Sequence, residues 1–157
     1  MTEHSVVHDT FAIERTYPAS PSRVFAAFAT REAKDAWGGG GDMTEVEPAT
    51  GPSEFDFRIG GHERFGVAFE GGSFTYDALY YDIVPGQRLV YSYEMYADSV
   101  RFSVSLATIE FVETDDGTTL TWTEQGAYLD GVDGPDAPRL RQGGTGEMLD
   151  GLAKYLA

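Results

Sequence analysis

The sequence predicts one α+β domain in which a strand-rich middle is flanked by helices at both ends. Two observations carry this. Residues 52–126 alternate apolar and polar, with turn signals between the runs. Residues 20–37 and 144–156 have helical spacing instead, the second with Met148, Leu149, Leu152, Tyr155 and Leu156 on one stripe. A sheet with helices on one side, the longest helix last, can enclose a cavity between the two layers.

The elements follow in order. Residues 1–9 are polar and read as a loose tail. Phe11, Ile13, Arg15 and Tyr17 alternate with Ala12, Glu14 and Thr16, a first strand. Ser20 caps a helix with Pro21 at its first position, where the missing N–H costs nothing. Val24, Phe25 and Phe28 form its apolar face, and Thr30 caps a second short helix running to about Trp37. The glycine run 38–41 reads as a flexible loop.

Six further runs read as strands. They cover about 53–59 (Phe55, Phe57 and Ile59 on one face), 63–69, 73–84 (Leu79, Tyr81 and Ile83), 88–97 (Leu89, Tyr91, Tyr93 and Met95), 101–113 and 118–126 (Leu120, Trp122 and Glu124). In 101–109, Phe102, Val104 and Leu106 compete with Ala107 and Ile109 for the inner face. Residues 130–138 are a loop, and Gly143-Gly144 weakens any helix before Thr145.

Composition narrows the function. The chain has 157 residues, enough for one buried core, and 13% aromatics to fill it. Eleven basic against 26 acidic residues give a net charge of −15, which repels phosphate backbones and anionic lipid. Nucleic-acid and membrane roles are therefore not expected. The absence of cysteine excludes disulfides, thiol nucleophiles and zinc–cysteine sites. Residues 1–10 lack a basic start and an apolar core, and no apolar run is long enough to span a bilayer, so a cytoplasmic protein is expected.

Several local motifs are similar to one family. IERTYPASPSRVFAAFATREAKDAW resembles its opening strand, helix pair and tryptophan. RIGGHERF resembles its arginine followed by paired glycines, YYDIVPGQRLVYS its proline-turn hairpin, and GTTLTWTEQG its late strand. The family is the activator-of-heat-shock-90-ATPase-like group of the START-like, birch-pollen-allergen-like (SRPBCC) superfamily, and the likeness runs from about Phe11 to Leu156. It implies a helix-grip fold, a curved antiparallel sheet around a long C-terminal helix with a cavity between them. It also implies binding of an apolar or aromatic small molecule by a monomer or homodimer, without a cofactor. Some superfamily members cyclise or dehydrate polyketides. The chaperone-activating role belongs to members with a second domain, and these 157 residues are expected to form one domain only. Relatives often place Gly-Trp ahead of the final Leu-Asp-x-Leu, whereas Leu149–Leu152 is preceded here by Gly144-Thr145. On that alignment Thr145 faces the sheet.

Six residues are candidates for the site. Alternation places Tyr81, Tyr91, Tyr93, Trp122 and Glu124 on the inner faces of their strands, around one enclosed space closed by Thr145. Tyrosine supplies both shape and a polar atom; equally, these tyrosines suit an ordinary aromatic core. A cavity-facing Glu124 has its pKa raised and can serve as base or anchor; at a wet rim it is inert. Trp37 and Trp122 suit packing better than recognition. Arg15, Arg58 and Arg64 either anchor a ligand carboxylate or, more commonly, pair with neighbours such as Glu14, Asp56 or Glu63. His4 and His8 are four apart without helical support or a third ligand, so no metal site is expected, and His62 reads as a turn residue. Three functions remain: ligand binding, an enzyme of cyclase, dehydratase or hydrolase type using Glu124, and a protein-interaction role.

Overall fold

Hydrophobic alternation does build the strands. The computed structural model describes residues 4–38 and 45–157. In chain order the elements are β1 (Val6–Tyr17), α1 (Pro21–Ala26), α2 (Arg31–Gly38), β2 (Glu45–Val46), β3 (Glu54–Phe55), β4 (His62–Phe69), β5 (Gly72–Val84), β6 (Arg88–Ala97), β7 (Val100–Thr114), β8 (Gly117–Leu129) and α3 (Ala137–Leu156). The strands form one antiparallel sheet in the order β1-β8-β7-β6-β5-β4-β2, and β3 also pairs with β4. The helices cover its concave face, the helix-grip arrangement that the motifs imply.

The short helices start as their caps require. Ser20 Oγ accepts from Arg23 N at 3.2 Å with Pro21 following, and Thr30 Oγ1 accepts from Ala33 N at 3.1 Å. Trp37 closes α2 by donating Nε1–H to Ala27 O at 2.8 Å. Its ring lies edge-on to Phe28, which in turn meets Phe111. Helix α3 buries Thr145, Leu149, Leu152 and Leu156, positions i, i+4, i+7 and i+11 on one face. Each fully buried leucine contributes about 2 kcal/mol. Tyr17 Oη ties β1 to that helix by donating to Leu149 O at 2.9 Å. Gly151 lets α2 and α3 touch, because a Cβ there would meet Trp37 O at 2.5 Å.

Five expectations change. Residues 6–9 are not a tail: they extend β1 along Gly126–Leu129, and Asp130 holds Ser5 N and His4. The run 53–59 shrinks to the two residues of β3, leaving Ile59 exposed. Helix α3 starts at Ala137, a full two turns before Thr145, because packing on the sheet outweighs the helix penalty of Gly143 and Gly144. Tyr155 faces solvent rather than the core stripe. On β7 the inner positions are Ser103, Ser105, Ala107, Ile109 and Phe111, while a bulge gives Phe102 an extra place against Phe74. The loop expected at 38–41 lies outside the described residues except for Gly38, the last residue of α2.

Candidate functional site

Register arranges the concave face in rows that cross the strands. One row runs Glu63, Ala78, Tyr93, Ser105, Gly126. The next on one side is Phe65, Tyr76, Met95, Ser103, Tyr128, and on the other Tyr80, Tyr91, Ala107, Glu124, Phe11. Small residues (Ala78, Ala107 and Ser105) alternate with rings, so the rings fold over the gaps. The result is an aromatic seam. Phe65 stacks on Tyr76 at 5.0 Å between centroids, and Tyr76 on Tyr93 at 5.1 Å. Tyr80 meets Tyr91 edge-on at 5.8 Å, and Tyr91 meets Trp122 at 6.2 Å.

A buried carboxylate lies at each end of the seam, and each is matched by a cation from a helix. Glu124 is fully buried. Its Oε2 accepts from Tyr93 Oη at 2.8 Å and its Oε1 from Trp122 Nε1 at 3.2 Å. Arg141 of α3 donates to Tyr93 Oη at 2.9 Å and Ser103 Oγ at 2.9 Å, and stands 4.0 Å from Glu124. Its guanidinium lies over the rings of Tyr93 and Tyr128. Burial pushes the Glu124 pKa up; the bonds from Tyr93 and Trp122 and the charge of Arg141 oppose that shift without cancelling it. Burial also raises the Tyr93 phenol, so it stays protonated and donates to Glu124.

The other end is built differently. Glu63 is 3% exposed, and both of its donors, Lys34 Nζ from α2 and Tyr80 Oη at 3.0 Å, fall on the same oxygen, Oε1. Oε2 makes no hydrogen bond to a described residue, and neither do the hydroxyls of Tyr76 and Tyr91. Among the described residues Thr50 Oγ1 is the one sealed side-chain polar atom without a partner, so these three oxygens border accessible space. Burial raises both phenols, and the charges of their neighbours add to it, Glu63 among them.

The candidates therefore divide. Tyr93, Trp122 and Glu124 form one bonded unit, with Tyr91 packed against Trp122 and Thr145 buried on α3 one turn after Arg141. Tyr81 does not join them. It is the extra residue of a bulge between Tyr80 and Asp82 and is 56% exposed, so Tyr80 takes the inner place. Arg58 pairs with Asp56, Arg64 with Asp77 and Glu54, and Arg15 with Asp150 of α3. His62 binds Asp77 beside Arg64, His4 binds Asp130, and no three metal-ligating side chains converge among the described residues. Tyr91, Tyr93 and Trp122 pack in the same buried cluster as Leu149 and Leu152. Two open surface hollows, one along His8–Thr10 and Gln125–Gly126 and one between β1 and α3, contain none of the six candidates.

Comparison with known proteins places this architecture. The family model described as activator of Hsp90 ATPase homolog 1-like protein matches residues 18–157. The chain belongs to that family. A protein from Rhizobium leguminosarum is 39% identical, with a TM-score of 0.87 over 99% of this chain and 98% of its own. Mll3558 from Rhizobium loti is 45% identical, with a TM-score of 0.84 over 97% and 99%. DynU16, a protein in the dynemicin biosynthetic locus, shares the fold at 18% identity and a TM-score of 0.61, over 94% of this chain and 47% of its own. No curated protein matches significantly.

Within this member of the activator of Hsp90 ATPase homolog 1-like family, four site residues escaped sequence reasoning. Arg141 is four residues before Thr145 and so shares its helix face. Glu63 is two residues before Phe65 and shares its strand face. Both signals were present in the spacing. Tyr76 and Tyr80 were hidden by the unseen bulge, which reverses the facing of β5 at Tyr81.

Proposed function

We propose that the chain binds an aromatic small molecule between the sheet and α3, at the Tyr76–Tyr91 end of the seam. The observation that carries this reading is the pair of tyrosine hydroxyls, Tyr76 and Tyr91, that have no hydrogen-bond partner among the described residues and are not sealed. A folded protein rarely leaves polar atoms so placed unmatched unless water or a ligand completes them. The surrounding rings offer flat apolar surface, and Phe65, Phe74, Tyr76 and Met95 are only half-buried, which leaves a way in. The relationship in fold to a protein of a biosynthetic locus is compatible with such a ligand.

The test is native mass spectrometry of protein purified from its own host, followed by binding of the retained molecule to Tyr76→Phe and Tyr91→Phe proteins. An aromatic ligand that binds at least about tenfold more weakly to the double variant supports the reading. Failure to retain any molecule, together with no binding across a panel of naphthalene and anthracene derivatives, sinks it.

A second reading has one observation in its favour. Arg141, Tyr93 and Glu124 form a continuous hydrogen-bonded line, and the Glu124 pKa is raised, which suits proton transfer. Against it, Tyr93 and Trp122 occupy both carboxylate oxygens, so Glu124 is the better positioned as a structural anchor.

A further inference from the structure

Among the described residues, the buried carboxylate of Glu63 receives its donors on only one of its two oxygens. A buried carboxylate normally collects donors on both oxygens, because each unmatched lone pair forfeits the hydration it had in water. Here Lys34 and Tyr80 crowd onto Oε1, and Oε2 has no hydrogen-bond partner among the described residues. Ala78 is its neighbour in the row and Tyr93 the next, and Tyr80, a ring of the seam, bonds the carboxylate directly. Neither the Tyr76 nor the Tyr91 hydroxyl donates to it. Lys34 already balances the carboxylate's charge, so the site suits a neutral donor better than a cation.

We propose that Glu63 Oε2 accepts a hydrogen bond from a neutral hydroxyl or amide N–H on the aromatic ligand, and that this contact selects among ligands. The inference rests on the aromatic-ligand reading above and adds the chemical class: hydroxylated or amide-bearing ring systems, in preference to their ether counterparts. No bond is made or broken in this contact; the ligand keeps its proton. A site built to receive a donor discriminates against the analogue that lacks it, because the acceptor is then left unpaired.

The experiment compares 2-naphthol with 2-methoxynaphthalene on the full chain, by fluorescence titration. The wild-type protein should favour the naphthol by about tenfold or more. Glu63→Gln keeps a carbonyl for Lys34 and Tyr80 and turns an N–H₂ toward the ligand, so the preference should vanish. A second measurement needs no variant: with ¹³C-labelled glutamate, the Glu63 carboxyl resonance should move on adding 2-naphthol and stay still with 2-methoxynaphthalene. Equal binding of both probes, a preference that survives in Glu63→Gln, or a Glu63 resonance that ignores the naphthol overturns the inference and leaves the aromatic-ligand reading standing. If neither probe binds, both fall together.

Discussion

The two ends of the aromatic seam use the same parts to opposite effect. At the Glu124 end a carboxylate, an arginine from α3, a tyrosine and a tryptophan satisfy one another completely. At the Glu63 end a carboxylate, a lysine from α2 and a tyrosine leave one carboxylate oxygen without a partner among the described residues. Arginine presents a planar fork of five donors and can bridge Tyr93, Ser103 and Ser105 at once. Lysine is a point charge and binds one oxygen. The comparison teaches that burial and charge do not by themselves mark a binding site. Glu124, the more deeply buried of the two, belongs to the clamp that holds α3 on the sheet. Glu63, for which the sequence suggested only a surface partner, belongs to the open end.

The comparison can be broken at several points. Arg141→Leu should have the largest effect, a loss of about 2–3 kcal/mol in urea unfolding at neutral pH, since it strands a buried carboxylate. If the loss is no greater than for Lys34→Met, the two ends are not different in kind. Lys34→Met should cost about 1 kcal/mol in the same assay, because Glu63 Oε2 already reaches accessible space.

Acidity sharpens the contrast further. The Glu124 pKa is raised above its ordinary value of 4.5, so the folded state holds that proton more tightly than the unfolded chain does. Its contribution is therefore fully present below about pH 4.5 and is lost as pH rises through the folded pKa. Relative to Glu124→Gln, the wild-type protein should lose stability over that rise. A difference that is flat with pH, or a wild-type advantage that grows as pH rises, contradicts the burial-dominated shift. The smallest effect belongs to Tyr81→Ala, within about 0.5 kcal/mol by thermal or urea unfolding, because the bulge turns that ring to solvent. A loss above 2 kcal/mol would return Tyr81 to the interior.

The parts of the fold that follow from period alone were legible. Strand alternation in 88–97 and 118–126 correctly put Tyr91, Tyr93, Trp122 and Glu124 on one face, since no bulge interrupts those positions. It failed at Tyr81 because an inserted residue leaves no mark in a run that is apolar on both sides. It failed at 6–9 because an edge strand can be paired yet exposed, and polarity then imitates a tail. Arg141 was passed over because two glycines suggested a later helix start, whereas the burial of Leu149 and Leu152 sustains the helix through them. Glu63 and Lys34 lie 29 residues apart, and no local pattern announces that contact.

The central claim is that the ligand lies at the open end, and tyrosine resonances report on it residue by residue. In protein with ¹³C-labelled tyrosine rings, titration with 2-naphthol should shift the signals of Tyr76 and Tyr91 most and leave Tyr17, Tyr81 and Tyr155 in place. Shifts concentrated at Tyr128 or Tyr155, with Tyr76 and Tyr91 unmoved, would contradict it.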